Sequence, residues 1–272
     1  MSQNKTFSFP SFRRLWKYMG EADAMIELTE LSARSFASSA HASGDVAAFV
    51  LAASQKHGVR VNLPEVSMLH KHLCQHYIVT VYQSAECFLH EFRREHVGLY
   101  RKEWAGDAHN VDPLTVALRN VSESEEKSID AVGPDLVSRF QYYRSVRNWV
   151  VHTKESDVSK PHERFQKITE YSSGNLQKYA SVKAPNPPED LSFDDFIFFS
   201  RLTKDLGEKL CEVAKPPEDH WINALQASFG RFKRLALNQE RMKNAISGRL
   251  RTEFGMDAIT ANWIADEIQE NL

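Results

Sequence analysis

Arg147, Asn148 and His152 form the pattern R-N-x-x-x-H, which brings three chemically useful side chains close together in the chain. Histidine titrates near neutrality and can move a proton during a reaction. Arginine stays charged and holds phosphate oxygens through two parallel N–H groups. The pattern therefore indicates proton transfer beside a bound anion, with Asn148 available to orient either His152 or the anion.

The helix that carries this pattern is predicted over residues 135–151, with Asp135 as its N-cap. On a helical wheel, Arg147 falls in the middle of an apolar stripe. Because desolvating its charge is costly, we expect either a carboxylate partner or a wet cleft on that face. His152 lies roughly 140° from Arg147 on an ideal helix, so the helix has to end or distort near Val150 if both are to reach one substrate. The stripe consists of Leu136, Phe140, Tyr143 and Val150.

A purely structural interpretation of the same residues stays open on spacing alone. Arg147 would then pair with a buried acid, and His152 would be a surface residue after the helix. An arginine and a histidine five positions apart occur often by chance, so their spacing alone does not distinguish a catalytic from a structural role.

The segment resembles the signature of the HEPN superfamily, in which an arginine precedes a polar residue, often asparagine, and then a histidine four to six positions after the arginine. Arg147, Asn148 and His152 match that signature position by position. The resemblance covers about residues 64–214. Within it, the segment VYQSAECFLHEF is similar to the helix of such proteins that carries a polar or acidic residue, so Glu86 is carried over as a site residue.

This resemblance implies an endoribonuclease that needs neither a metal ion nor another cofactor. The 2′-OH of the RNA would attack the phosphate, His152 would move the proton, and Arg147 would stabilise the charge. Family members typically form homodimers in which both copies line one cleft. The resemblance also implies a toxin or anti-phage defence effector with an antitoxin or other regulatory partner. The rival interpretation is a non-catalytic helical module that binds protein or RNA.

One departure from the family bears on regulation. In one toxin subclass, a tyrosine lies two residues after the histidine and is modified by a partner nucleotidyltransferase. This chain has Lys154 at that position, which argues against regulation by nucleotidyl transfer to a tyrosine.

Two further groups of residues invite a functional interpretation. The basic segment between 229 and 251 includes Arg231, Lys233 and Arg234, which would bind the RNA backbone. It could equally be a solvated helix that pairs with acidic residues elsewhere. His72 and His76 share a helix face, but ordinary surface histidines are the favoured interpretation, and no metal site is predicted.

The order of elements predicts an all-α protein, a HEPN-like up-down bundle with additional helices at both ends. Its central helix is expected around 65–102, and 122–127 is expected to be a loop or solvated turn. Residues 1–10 are expected to form a loose leader. We predict three parts, with N-terminal helices over 1–63, the bundle over 64–214 and a basic helical extension over 215–272. The remaining helices are expected over 11–40, 45–57, 113–121, 192–213 and, as two or three helices, 218–271.

Composition narrows the functional classes. The 272 residues carry a formal net charge of −2, so any RNA contact depends on local clusters of positive charge. The three cysteines form no paired framework, which is typical of reduced cytosolic thiols. No membrane span or secretory signal is expected, and we expect a cytoplasmic protein. No phosphate-binding loop or serine elbow is present in the sequence.

Overall fold

The computed structural model describes residues 7–62, 67–106, 111–152, 159–170, 182–217, 220–221, 224 and 238–270. Over these residues it is helical and contains no strand, which confirms the predicted all-α class. A 3₁₀ turn at Pro188–Asp190 precedes the helix that begins at Phe193. The α-helices are α1 (Pro10–Ala42), α2 (Val46–His57), α3 (Ser67–Tyr100), α4 (Pro113–Asn120), α5 (Glu125–Val132), α6 (Pro134–Val151), α7 (Ser159–Glu170), α8 (Phe193–Val213), α9 (Gln239–Phe254) and α10 (Ala258–Glu270).

The chain divides into two compact units, each built from stretches that are distant in sequence. The first unit contains Met1–Lys17, Ala85–Val137 and Lys204–Leu272, and the second contains Tyr18–Ser84 and Ser138–Thr203. The divisions fall within α1, α3, α6 and α8. The three-part division made from the sequence stays a prediction.

Aromatic side chains fill the core of the first unit. The ring of Phe9 is fully buried and lies 4.9 Å from that of Phe92, and Phe7 lies 5.6 Å from Trp221. The expected loose leader is therefore wrong at its end, since Phe7 and Phe9 pack into this core. Beside them, the Arg14 guanidinium forms ion pairs with Glu91 and Glu95.

The second unit also has an aromatic core, and it carries the R-N-x-x-x-H pattern. Tyr143 of α6 stacks on Phe199 of α8 at 4.6 Å, and Phe140 lies 5.7 Å from the same ring. All three side chains are fully buried. Burying such large rings is a strong source of stability, so α6 and α8 are held firmly against each other within this unit.

Most helix ends lie where the sequence predicts them. The long helix α3 spans Ser67–Tyr100, close to the expected 65–102, and α6 ends at Val151 as expected. The predicted N-cap of α6 is wrong, because the helix begins at Pro134 and Asp135 lies in its first turn. For α2, Asp45 caps the first turn and Gly58 adopts a left-handed conformation at the end. Glycine meets no steric penalty there, which explains why the helix stops at that residue.

The acidic, serine-rich segment at 122–127 was expected to be a loop or solvated turn, but it contains the start of helix α5. Ser124 is the N-cap of α5, and its side chain accepts a hydrogen bond from the Lys127 amide. Glu125 and Glu126 then occupy the first turn, where acids interact favourably with the positive end of the helix dipole. The acidic and serine composition that suggested a solvated turn is thus the start of a short helix.

Candidate active site at the end of helix α6

The three pattern residues lie at the C-terminal end of α6. The helix ends at Val151, and His152 is the first residue beyond it, with an exposed side chain. The His152 backbone N–H still donates to the carbonyl oxygen of Asn148, at 2.9 Å. The imidazole therefore projects from the last hydrogen-bonded turn of the helix, where a substrate has access to it.

Arg147 lies one turn earlier and is half-buried. Its guanidinium carbon is 5.1 Å from the centroid of the Tyr82 ring, and its Nη1 donates to Oδ1 of Asn148 at 3.1 Å. The Nε atom of Arg147 is buried. The aromatic face and the amide oxygen together restrict the orientation of the guanidinium, since both contacts depend on its plane.

Asn148 links the two candidate catalytic residues. Its side-chain oxygen accepts from Arg147, and its backbone oxygen accepts from the amide of His152. The sequence left open whether Asn148 orients His152 or the anion. The observed contacts add a third role, in which Asn148 orients the arginine.

A buried carboxylate anchors the helix that carries the site. Asp195 of α8 is fully buried, and its Oδ1 accepts from the Tyr143 hydroxyl of α6 and from the amide of Asn186, both at 2.9 Å. Burial and the nearby Asp195 charge raise the pKa of Tyr143, so that phenol remains a hydrogen-bond donor at all ordinary pH values. Tyr143 precedes Arg147 by one helical turn, so this network fixes the turn before the site.

The second oxygen of Asp195 caps the backbone at the start of α8. Ser192 precedes the helix, and its backbone amide donates to Oδ2 of Asp195 at 2.8 Å. The Asn186 side chain donates to the same oxygen at 2.8 Å. Sequence reasoning missed this contact, although a serine three residues before an acid at a helix start is the pattern that indicates it.

Tyr82 is the other neighbour of the site that sequence reasoning missed. It lies on α3, is almost fully buried, and supplies the ring under Arg147. An isolated tyrosine within a long apolar helix gives no indication of which cation it will contact. No local sequence signal could have identified this pairing.

The other predicted site residues are not joined to this cluster by the described contacts. Glu86 is half-buried on α3, four residues after Tyr82, and belongs to the first unit. Arg231, Lys233 and Arg234 lie outside the described residues. The roles of Glu86 and of these three basic residues therefore stay predictions.

The described part of the basic segment forms ion pairs with nearby acids. Lys243 of α9 donates to Asp266 of α10 at 2.7 Å. Arg249 pairs with Glu253, one turn later on α9, at 2.8 Å. Lys243 and Arg249 therefore pair with acids, which is the alternative to RNA binding that the sequence left open.

A cavity of about 310 Å³ in the second unit includes none of the predicted site residues. The Arg34 guanidinium at its wall pairs with the buried Glu30 carboxylate at 2.8 Å, and Tyr77 donates to the other oxygen of Glu30 at 3.3 Å. The arginine charge is therefore balanced within the protein. The cavity is lined by Ala33, Arg34, Ala37, Leu69 and His70.

His72 and His76 both lie exposed on α3, as the surface interpretation expects. Among the residues that the structure describes, no three histidine, cysteine, aspartate or glutamate side chains are grouped so that they could hold a metal ion. Over the same residues, no helix is long and apolar enough to cross a membrane.

Over the residues that the structure describes, the protein is all-helical and carries Arg147, Asn148 and His152 at the C-terminal end of α6. No protein-family model, curated protein or solved structure matches the chain. The function therefore has to be argued from the chemistry of the site.

Proposed function

We propose that the chain is a metal-independent endoribonuclease of the HEPN type. The observation that carries the proposal is the linkage through Asn148, which holds the Arg147 guanidinium with its side chain and the His152 amide with its backbone. These contacts place a permanent cation and an exposed histidine in the last turn of one helix and just beyond it. The proposed reaction uses the histidine to move protons and the cation to stabilise charge on the phosphate.

The proposed reaction uses the substrate's own nucleophile. His152 takes the proton from a ribose 2′-OH, and the 2′ oxygen attacks the adjacent phosphorus. Arg147 stabilises the additional negative charge on the phosphate oxygens as this bond forms. The bond from phosphorus to the 5′ oxygen then breaks, and the leaving oxygen takes a proton from an imidazolium. The products are a 2′,3′-cyclic phosphate and a free 5′-OH.

The remaining predicted residues and partners belong to the same proposal. The enzyme acts as a homodimer in which two copies of the site line one cleft, and Glu86 contributes a polar group there. Arg231, Lys233 and Arg234 bind the RNA backbone. In the cell, the protein is a cytoplasmic toxin or anti-phage effector restrained by an antitoxin or another regulatory protein, a role that rests on family analogy.

A second candidate is a non-catalytic helical module that binds protein or RNA. One observation favours it. Arg147 is half-buried against Tyr82, which is also the environment of an arginine that serves packing alone. In that case the guanidinium would not reach a phosphate, and His152 would be an ordinary surface residue.

The two candidates differ in what they do to RNA and DNA of the same sequence. In the presence of EDTA, the ribonuclease cuts RNA to fragments with 2′,3′-cyclic or 3′-phosphate ends and leaves DNA intact, because DNA has no 2′-OH. A binding module leaves both intact. Cleavage that requires a divalent metal, or equal cleavage of DNA, contradicts the proposed mechanism.

A further inference from the structure

Helix α2 is an apolar helix that the described part of the chain leaves largely exposed. Its first eight residues, Val46 to Ala53, are all apolar, yet no residue of α2 is buried. The side chain of Leu51 is 60% exposed. A helix that is apolar on most of its circumference is normally enclosed on every side, so α2 has the composition of an interface.

Only one side of α2 packs against its own unit. The ring of Phe49 lies 5.4 Å from that of Phe36 on α1, and Phe49, Val50 and Ala53 are only partly exposed. The exposed residues Ala48, Leu51, Ala52 and Gln55 share the opposite side, which we name the outer face of α2. Their spacing of three, one and three residues is that of a helix–helix seam.

Opposite charges flank this outer face. Asp45 lies just before the helix, Lys56 lies in its last turn, and both are exposed. When two α2 helices pair in an antiparallel arrangement, the acid of each copy faces the lysine of the other. The two helix dipoles then point in opposite directions, which is also favourable. A parallel arrangement would instead bring acid against acid and lysine against lysine.

The outer face also has a self-complementary shape. An antiparallel pair in register places Leu51 opposite Ala52 of the second copy, and Ala48 opposite Gln55. Each larger side chain thus faces a small one, which allows close approach of the two helices. Such an arrangement has two-fold symmetry, so the same surface of each copy forms its half of the interface.

We infer that the outer face of α2 is a homodimer interface, with a second copy of this chain packed antiparallel across a two-fold axis. The residues of this interface all lie on or next to α2, so the dimer would form whether or not the protein cleaves RNA.

The first test measures molecular mass by light scattering over a range of concentrations. We expect the natural chain to reach the mass of two chains at tens of micromolar, and Leu51→Glu to stay at the mass of one. Ile259→Glu is the matched control, because Ile259 is an 84% exposed apolar residue on α10. It should behave like the natural chain. Ala48→Glu is a second variant on the outer face in case Leu51→Glu misfolds, as checked by circular dichroism.

The second test concerns the antiparallel arrangement. Lys56→Glu places like charges at both ends of the seam and should weaken association at least ~10-fold. Adding Asp45→Asn, which keeps a side-chain oxygen for the helix cap, should recover much of the loss. The inference is overturned if the natural chain stays at the mass of one chain, if both outer-face variants remain two-chain species, or if Lys56→Glu associates as tightly as the natural chain. A two-chain species that does not cut RNA contradicts only the proposed function.

Discussion

The guanidinium carbon of Arg147 lies 5.1 Å from the centroid of the Tyr82 ring. The ring belongs to α3 and the arginine to α6, so the two helices jointly position the cation of the candidate site. A half-buried cation over an aromatic face gains roughly 0.5–2 kcal/mol from the interaction. The same contact limits the directions in which the guanidinium can point.

Removing this aromatic face should slow the reaction and, because Tyr82 is almost fully buried, also lower the stability of the fold. We expect Tyr82→Leu to cut RNA about tenfold more slowly, a loss that corresponds to roughly 1.4 kcal/mol, because the guanidinium loses its orientation. Tyr82→Phe retains the ring and is the matched control, with a rate close to natural. The measurement is the initial rate of cleavage, with thermal unfolding recorded alongside. Equal rates for the leucine and phenylalanine variants would show that the ring does not position Arg147.

Arginine at position 147 should not be replaceable by another cation. Arg147→Lys keeps the charge but loses the planar fork that holds two phosphate oxygens, so we expect only partial activity. Arg147→Ala should reduce cleavage by about the same 10²–10⁴-fold factor as the loss of a proton carrier. Rates measured at saturating RNA separate this effect from weaker binding. Full activity of Arg147→Lys contradicts a role for paired phosphate contacts.

Asp195 should be important for the stability of the second unit. Asp195→Ala removes the acceptor for Tyr143, Asn186 and Ser192 and should lower the free energy of unfolding by about 3–5 kcal/mol. Asp194→Ala is the control, since it removes a neighbouring acid from the same first turn that, among the described residues, accepts a hydrogen bond from the amide of Lys183. That variant should lose about 1 kcal/mol. Urea unfolding of both variants checks this, and similar losses would mean that the network contributes little.

Much of this architecture follows from local sequence. The helix expected around 65–102 corresponds to α3, and the helix expected over 45–57 corresponds to α2. The short helix α5 was missed because its acidic first turn has the composition of a solvated loop. Phe7 and Phe9 were missed because two rings before a helix carry no periodic pattern.

The candidate site was only partly predictable for a physical reason. Arg147, Asn148 and His152 are close in sequence, so their pattern is visible in one segment. The residues that position them come from other helices, with Tyr82 on α3 and Asp195 on α8. Such pairings depend on how helices pack, and the residue types alone do not specify the partner.

A buried histidine in the first unit should make stability depend on pH. His96 accepts a hydrogen bond from the Trp104 indole N–H at 3.0 Å. Burial, with the positive charge of Lys102 and the nearby His220, lowers the pKa of His96 from 6.5 to about 4. The unfolded chain therefore takes up a proton at a higher pH than the folded protein does. The stability from neutral His96 is complete above about pH 6.5 and is lost as the pH falls towards about 4.

This loss can be measured by urea unfolding at a series of pH values. The change attributable to His96 should be roughly 3 kcal/mol across that window. His96→Gln cannot titrate and keeps a possible acceptor for Trp104, so its stability should fall less steeply with acid. If both proteins have the same slope between pH 6.5 and 4, His96 is not the group responsible.

The central claim is that His152 carries the proton during RNA cleavage. The most direct measurement is the rate of RNA cleavage in EDTA by the natural chain and by His152→Ala, both confirmed as folded. We predict that the natural chain produces fragments with 2′,3′-cyclic phosphate ends, and that the variant is roughly 10²–10⁴-fold slower. Equal cleavage by the two proteins, or intact RNA with the natural chain, would contradict the account.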